Sequence, residues 1–178
     1  MPVRGHDFDS LQPDWPDAAG PGALPVNEYG DLTGCVLRGE LPCAYEAGGR
    51  RRDGVVHFAL DLRERAPSRD LDNLRLSITI DGTEHAADGG WFEDCLADIA
   101  AALPAETRLT NCFTCLYSDY FPAGHPMTGM SCHRDAKPEY LAVRSKHDYW
   151  SVPVTEFVPE THLCDDYQRR VPGTGYRG

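Results

Sequence analysis

Lysine is nearly missing from this chain of 178 residues: there are two, against fifteen arginines, a bias that reads as coding preference rather than chemistry. Positive charge as a whole is scarce, and 28 acidic residues leave a formal net charge of −11. An acidic surface repels phosphate backbones, so non-specific nucleic-acid binding is disfavoured. Long apolar runs are also absent. Nothing approaches the roughly 18 residues a membrane-spanning helix needs, so no membrane association is expected. The first residues, MPVRGHDFDSLQPDW, lack the apolar stretch of a secretory signal. The expected compartment is therefore the cytoplasm, where thiols stay reduced.

What is present suits one soluble domain. The chain is 41% hydrophobic and 25% charged, and long enough to bury a core without disulfide staples. The charge is unevenly placed. From residue 107 onward eight acids meet eight bases, so all of the excess negative charge belongs to residues 1–106.

Residues 1–30 read as an irregular arm, with four prolines between positions 11 and 30, either packed on the surface through Trp15 and Leu24 or a flexible tail. LTGCVLRGELP is the first strand candidate. EAGGRRRDG then reads as a turn with Arg50, Arg51 and Arg52 at a solvated tip. In GVVHFALDLRE, Val56, Phe58, Leu60 and Leu62 share one face, opposite His57, Asp61 and Arg63. In LRLSITIDGTEHAA, Leu74, Leu76, Ile78 and Ile80 do the same, and Asp81-Gly82 suits a tight hairpin turn. The period then changes. Trp91, Phe92, Cys95, Leu96, Ile99 and Leu103 fall on one helical stripe, with Glu93 and Asp94 in the first turn and Pro104 as the stop. The expected fold is α+β: a small antiparallel sheet within 31–110, packed on that one main helix. Cys95 and Cys35 read as small buried hydrophobes; Cys43, after Pro42, is left open.

After TRLTNCF, a strand candidate, the texture is irregular, with PEYLAVRSKHDYW and ETHLCDDYQRR as the only short helix candidates. Four cysteines, Cys112, Cys115, Cys132 and Cys164, lie in this part at C-x2-C-x16-C-x31-C spacing. A CxxC turn holds two thiolates on one side of a loop, suited to the roughly 2.3 Å Zn–S bonds of a tetrahedral site. A lobe over 111–178 organised by one structural zinc on these four thiolates is the expectation. Four thiolates around Zn²⁺ leave a charge of −2, and Arg134, Lys137, Arg169 and Arg170 follow two of the ligand positions. His133, His162 and His125 are nearby substitutes, but four cysteines already complete the site. An iron–sulfur cluster is the alternative cofactor, though the common ferredoxin spacings are missing. A thioredoxin-like centre needs CxxC opening a helix, and loop sequence follows here instead. A Cys–His nucleophile is disfavoured because His133 adjoins Cys132 in the chain.

Two motifs read as empty. GTGYRG matches GxGxxG from Gly173 to Gly178, but no helix follows to aim amides at a pyrophosphate. Asp61, Glu64, Asp70, Asp72 and Asp81 have no spacing that forces a catalytic pair together.

CFTCLYSDY, SCHRDAKPEYL and VPETHLCDDYQRRVPGTGYRG together resemble the C-terminal signature of an uncharacterised bacterial family of unknown function. The resemblance covers about residues 30 to 178, most densely after Cys112. It implies that Cys112, Cys115, Cys132 and Cys164 belong together with Ser118, Asp119, Tyr120, Arg134, Lys137, Glu160, Arg170 and Tyr176. It also implies that phenylalanine often stands at the position of His133, which speaks against that histidine as a ligand. No activity comes with the family.

The functional expectation is a non-enzymatic module, acting on a protein partner, with a structural zinc held by four cysteines. One alternative is a redox sensor that releases zinc on oxidation. Another is an enzyme with a pocket near Ser118-Asp119-Tyr120, Glu160 and the Gly-Tyr-Arg-Gly end.

Overall fold

Two thirteen-residue strands form the backbone of the molecule. The computed structural model describes residues 3–4, 12–13, 25–62, 74–120, 129–174 and 176; Trp15, Leu24, Arg63, Glu64, Asp70, Asp72 and His125 lie outside them. Strands β1 (Val3–Arg4) and β2 (Gln12–Pro13) form a short antiparallel ladder. β3 (Cys35–Ala47) and β4 (Arg50–Leu62) then pair from Cys35↔Leu62 to Ala47↔Arg50 without a break. The turn between them is only Gly48 and Gly49, at φ +57° and +73°. Two successive left-handed residues match strand twist, and glycine adopts them at no steric cost. Arg50, Arg51 and Arg52 are exposed, as expected, but they open β4 rather than cap a turn. The glycine pair alone satisfies the hairpin, so the strands extend further than composition suggests.

β5 (Leu74–Ile80) adds to β4, and β6 (Thr83–Gly89) to β5, through Asp81 and Gly82 at φ +48° and +82°. The alternation read from the sequence holds: Val56, Leu60, Leu74, Leu76, Ile78 and Ile80 are buried while Arg75 and His57 face out. Helix α1 (Phe92–Ala102) covers that apolar face with Cys95, Leu96 and Ile99, and Phe92 meets Phe58 at 6.3 Å between ring centroids. Each fully buried Leu or Ile contributes about 1.5–3 kcal/mol, so this face supplies the main driving force. β7 (Thr107–Leu109) pairs with β3 and completes a five-stranded antiparallel sheet in the order β6-β5-β4-β3-β7. Cys43 and Cys95 are buried in the core, and Cys35 packs against its edge.

The remainder is more regular than its sequence texture. A 3-10 turn at Cys112–Thr114 replaces the end of the expected strand. β8 (Ser118–Tyr120), β9 (Met130–Cys132) and β10 (Glu156–Val158) form a second antiparallel sheet with β9 in the middle. Thus the SDY stretch after CxxC is a strand, not a loop. Short helices α2 (Lys137–Leu141) and α3 (Lys146–Trp150) follow β9, and Ser145 caps α3 by accepting from the Asp148 amide. Residues 160–170, the other helix candidate, are not helical. Four of their backbone groups, the carbonyls of Glu160, His162 and Gln168 and the amide of Arg170, bond instead to residues 112–116, which draws the segment out alongside that turn. Phe113, Met130, Cys132 and Val158 extend the main core, while Tyr117, Tyr140, Val143, Tyr149 and Val152 form a second one. The fold is therefore mixed α and β, dominated by antiparallel sheet with one main helix. Among the described residues no helix is long and apolar enough to cross a membrane.

Candidate functional site

The CxxC turn is closed by its own backbone: the Cys115 amide donates to the Cys112 carbonyl at 3.1 Å, and Thr114 Oγ1 donates to the Leu109 carbonyl at 2.9 Å. Residues 160–170 lie alongside it. The amides of Cys112, Phe113 and Leu116 donate to the carbonyls of His162, Glu160 and Gln168 at 3.2, 2.9 and 2.7 Å, and the Arg170 amide returns to Thr114 at 3.0 Å. This ladder carries Cys164 to the turn. Cys132 arrives at the end of β9, opposite Ser118 on one side and Glu156 on the other.

Three separate segments thus bring four thiols within electrostatic reach of one another. Burial pushes the Cys112 thiol up to about 12, and Cys115, Cys132 and Cys164 add to the rise, with a Ser118 hydrogen bond opposing it. Burial likewise raises Cys132; Arg134 opposes, while Cys164 and Cys115 add. All seven cysteines are free thiols. Among the described residues, no group of three or more His, Cys, Asp or Glu side chains is arranged to hold a metal ion. The four expected ligands are gathered without converging on one point.

The surround is rich in donors. Arg134 pairs with Glu156 and places Nη1 at 3.8 Å from Cys132 Sγ. Asn111, next to Cys112, is completely buried, and among the described residues neither its Oδ1 nor its Nδ2 has a hydrogen-bond partner. A buried amide of this kind calls for an explanation.

Of the other residues singled out in the sequence, most are drawn into packing. Ser118 and Asp119 are buried in β8. Asp119 accepts from the Tyr140 hydroxyl at 2.9 Å and from the Tyr120 amide at 2.8 Å. Arg170 donates to that same Tyr140 hydroxyl at 3.3 Å and to the carbonyls of Cys115 and Ser118. Glu160 is buried against Gly129, so closely that a Cβ there would overlap its carboxyl. Tyr176 stacks on Tyr149 at 4.7 Å, and Lys137 lies over the Tyr117 ring at 5.1 Å. His133 is not drawn toward the thiols. Its Nδ1 bonds the Pro153 carbonyl at 2.9 Å, so Nε2 accepts from the Tyr149 hydroxyl at 3.0 Å. Burial lowers its pKa, which holds the ring neutral, with the Pro153 bond opposing. Tyr140 and Tyr149, which anchor this network, carried no distinguishing signal in the sequence beyond the local richness in aromatics.

A family of unknown function (DUF6304) matches residues 1–118. The chain belongs to this family. Membership takes in both sheet-forming hairpins, the main helix and the CxxC pair, and stops before Cys132 and Cys164. Of the C-terminal signature on which the expected resemblance was densest, only CFTCLYS, residues 112–118, lies within the match. No curated protein and no solved structure matches the chain.

Proposed function

We propose that this DUF6304 protein binds one structural Zn²⁺ through Cys112, Cys115, Cys132 and Cys164, in a lobe formed by 111–178. The carrying observation is the assembly of four thiols from three segments within mutual electrostatic reach. Neutral thiols have nothing to draw them to one point, whereas a dication binds them as thiolates and converts binding energy into folding energy. The donors already in place support the reading. Arg134 reaches Cys132 Sγ, the Ser118 hydroxyl, which donates to Met130 Sδ at 3.7 Å, also acts on Cys112, and the Asn111 amide is unspent, so the −2 charge of a zinc tetrathiolate would meet donors on several sides.

A closed shell of four thiolates leaves no coordination position for water or substrate, which favours a structural over a catalytic role. The protein then acts as a binding module in a reducing compartment such as the cytoplasm. Trp150 and Phe157, 59% and 61% exposed, are side chains a protein partner would cover. Cys164 is partly exposed, which makes it the entry point for oxidants in the redox-sensor alternative.

Elemental analysis of protein purified without added metal tests the reading. One zinc per chain is expected, lost on Cys112→Ser or Cys164→Ser. A folded, metal-free protein with four titratable thiols would sink it. Peroxide that releases the zinc reversibly, with a disulfide among the four, would favour the sensor.

A further inference from the structure

An acidic protein has little positive charge to spare, yet three arginines converge on one cavity of about 360 Å³. Arg108 comes from β7, Arg169 and Arg170 from the segment laid along the CxxC turn, and Thr114 and Tyr167 add hydroxyls. The volume is within the range of small-molecule sites.

The charges there are not balanced internally. Arg108 pairs with Glu46. Arg169 also acts on Glu46 at longer range, but neither Arg169 nor Arg170 forms a salt bridge with a described carboxylate. Arg170 spends its Nη atoms on neutral acceptors, and its Nε is buried without a partner among the described residues. The cations needed by the thiols are supplied elsewhere: Arg134 acts on Cys132, whereas Arg169 and Arg170 are not among the groups that shift Cys112 or Cys132. With Glu46 set against Arg108 and Asp119 reached from Arg170 through the Tyr140 hydroxyl, about one positive charge is left in excess at the cavity, carried mainly by Arg169. Thr114 already donates to Leu109, so Tyr167 is the donor in their 3.2 Å hydroxyl contact, and a ligand oxygen would take that proton by displacing the Thr114 bond. Guanidinium forks match tetrahedral oxyanions, and Leu109 and Pro172 offer apolar wall for an organic part. A larger cavity on the outer face of the main sheet offers no such excess, since Arg75 there pairs with Asp88 and Glu40 shares the lining with Arg38.

We infer that the cavity between Arg108, Arg169 and Arg170 binds the dianionic phosphate of a small phosphomonoester. The inference does not require bound zinc, although Thr114 lies inside the CxxC turn and Arg170 donates to the Cys115 carbonyl. Isothermal titration calorimetry on the full chain, with glycerol 3-phosphate and inorganic phosphate as probes and citrate as comparator, tests it. Saturable binding of glycerol 3-phosphate is expected, at least tenfold weaker in Arg169→Ala and weakened in Tyr167→Phe. Arg144→Ala, remote from the cavity, should leave it unchanged. Arg169 is exposed, so its loss removes charge without disturbing a core. No saturable heat with either phosphate probe, a preference for citrate, or equal affinity in Arg169→Ala would overturn the inference.

Discussion

Tyr140 on α2 donates its phenolic proton to Asp119 on β8 across 2.9 Å, and both side chains are buried. Arg170 reaches the same hydroxyl from the third segment, so a single oxygen ties together the second sheet, a helix and the strip that carries Cys164. Tyr140→Phe removes one hydrogen bond from a buried carboxylate and one from a guanidinium while keeping the ring. The expected loss is about 1–3 kcal/mol of stability, read from urea midpoints at unchanged m-value.

The same hydroxyl sets an alkaline limit. Burial first, then Asp119, pushes Tyr140 up to about 12 from an ordinary 10.0, with Arg170 opposing. The folded state therefore keeps a proton that the unfolded chain has lost above pH 10. Stability from this group is complete below pH 10 and falls as pH rises toward 12. Denaturation followed across that interval should show a shallower decline in Tyr140→Phe than in the native protein. An identical slope would contradict the assignment.

Gly129 is held open by its neighbours. A Cβ there would overlap the Glu160 carboxyl and approach the Tyr120 ring to 2.9 Å. Because Glu160 is only 6% exposed, it cannot simply swing into solvent. Gly129→Ala should lower stability by about 1–3 kcal/mol, visible as a reduced melting temperature, and a neutral result would mean that this contact relaxes freely.

The seven cysteines should separate into two sets. Cys43 and Cys95 are completely buried among apolar side chains of the main sheet and helix. Replacing Cys95 by Ala should cost about 1 kcal/mol through lost packing and leave metal content unchanged. Replacing Cys115 by Ser should abolish metal binding. Elemental analysis of both variants checks the division, and equal metal loss in both would erase it.

How far the sequence could be read depended on the range of the interactions involved. Leu74, Leu76, Ile78 and Ile80 announce their strand because each faces the same core and the pleat has a period of two. The α1 stripe and the Asp81-Gly82 turn are equally local. β8, β9 and β10 have three residues each, too few for a period to show. Residues 160–170 look helical in isolation because their partners at 112–116 lie about fifty positions away. The candidate site divides in the same way. CxxC is visible as a motif, but the Asp119–Tyr140–Arg170 contact and the meeting of Arg108 with Arg169 and Arg170 exist only after folding.

That long return has a consequence for synthesis. Every strand of the main sheet has left the ribosome once residue 109 emerges, whereas the turn at Cys112–Thr114 gains its partners only when residues 160–170 are made. Through that interval Cys112 and Cys115 travel as accessible thiols on a nascent chain whose first part can already fold. In the finished protein they are 2% and 5% exposed. This pair is therefore more open to oxidation before residues 160–170 arrive than after, and the half-made chain is where a protecting reductant or chaperone has work to do.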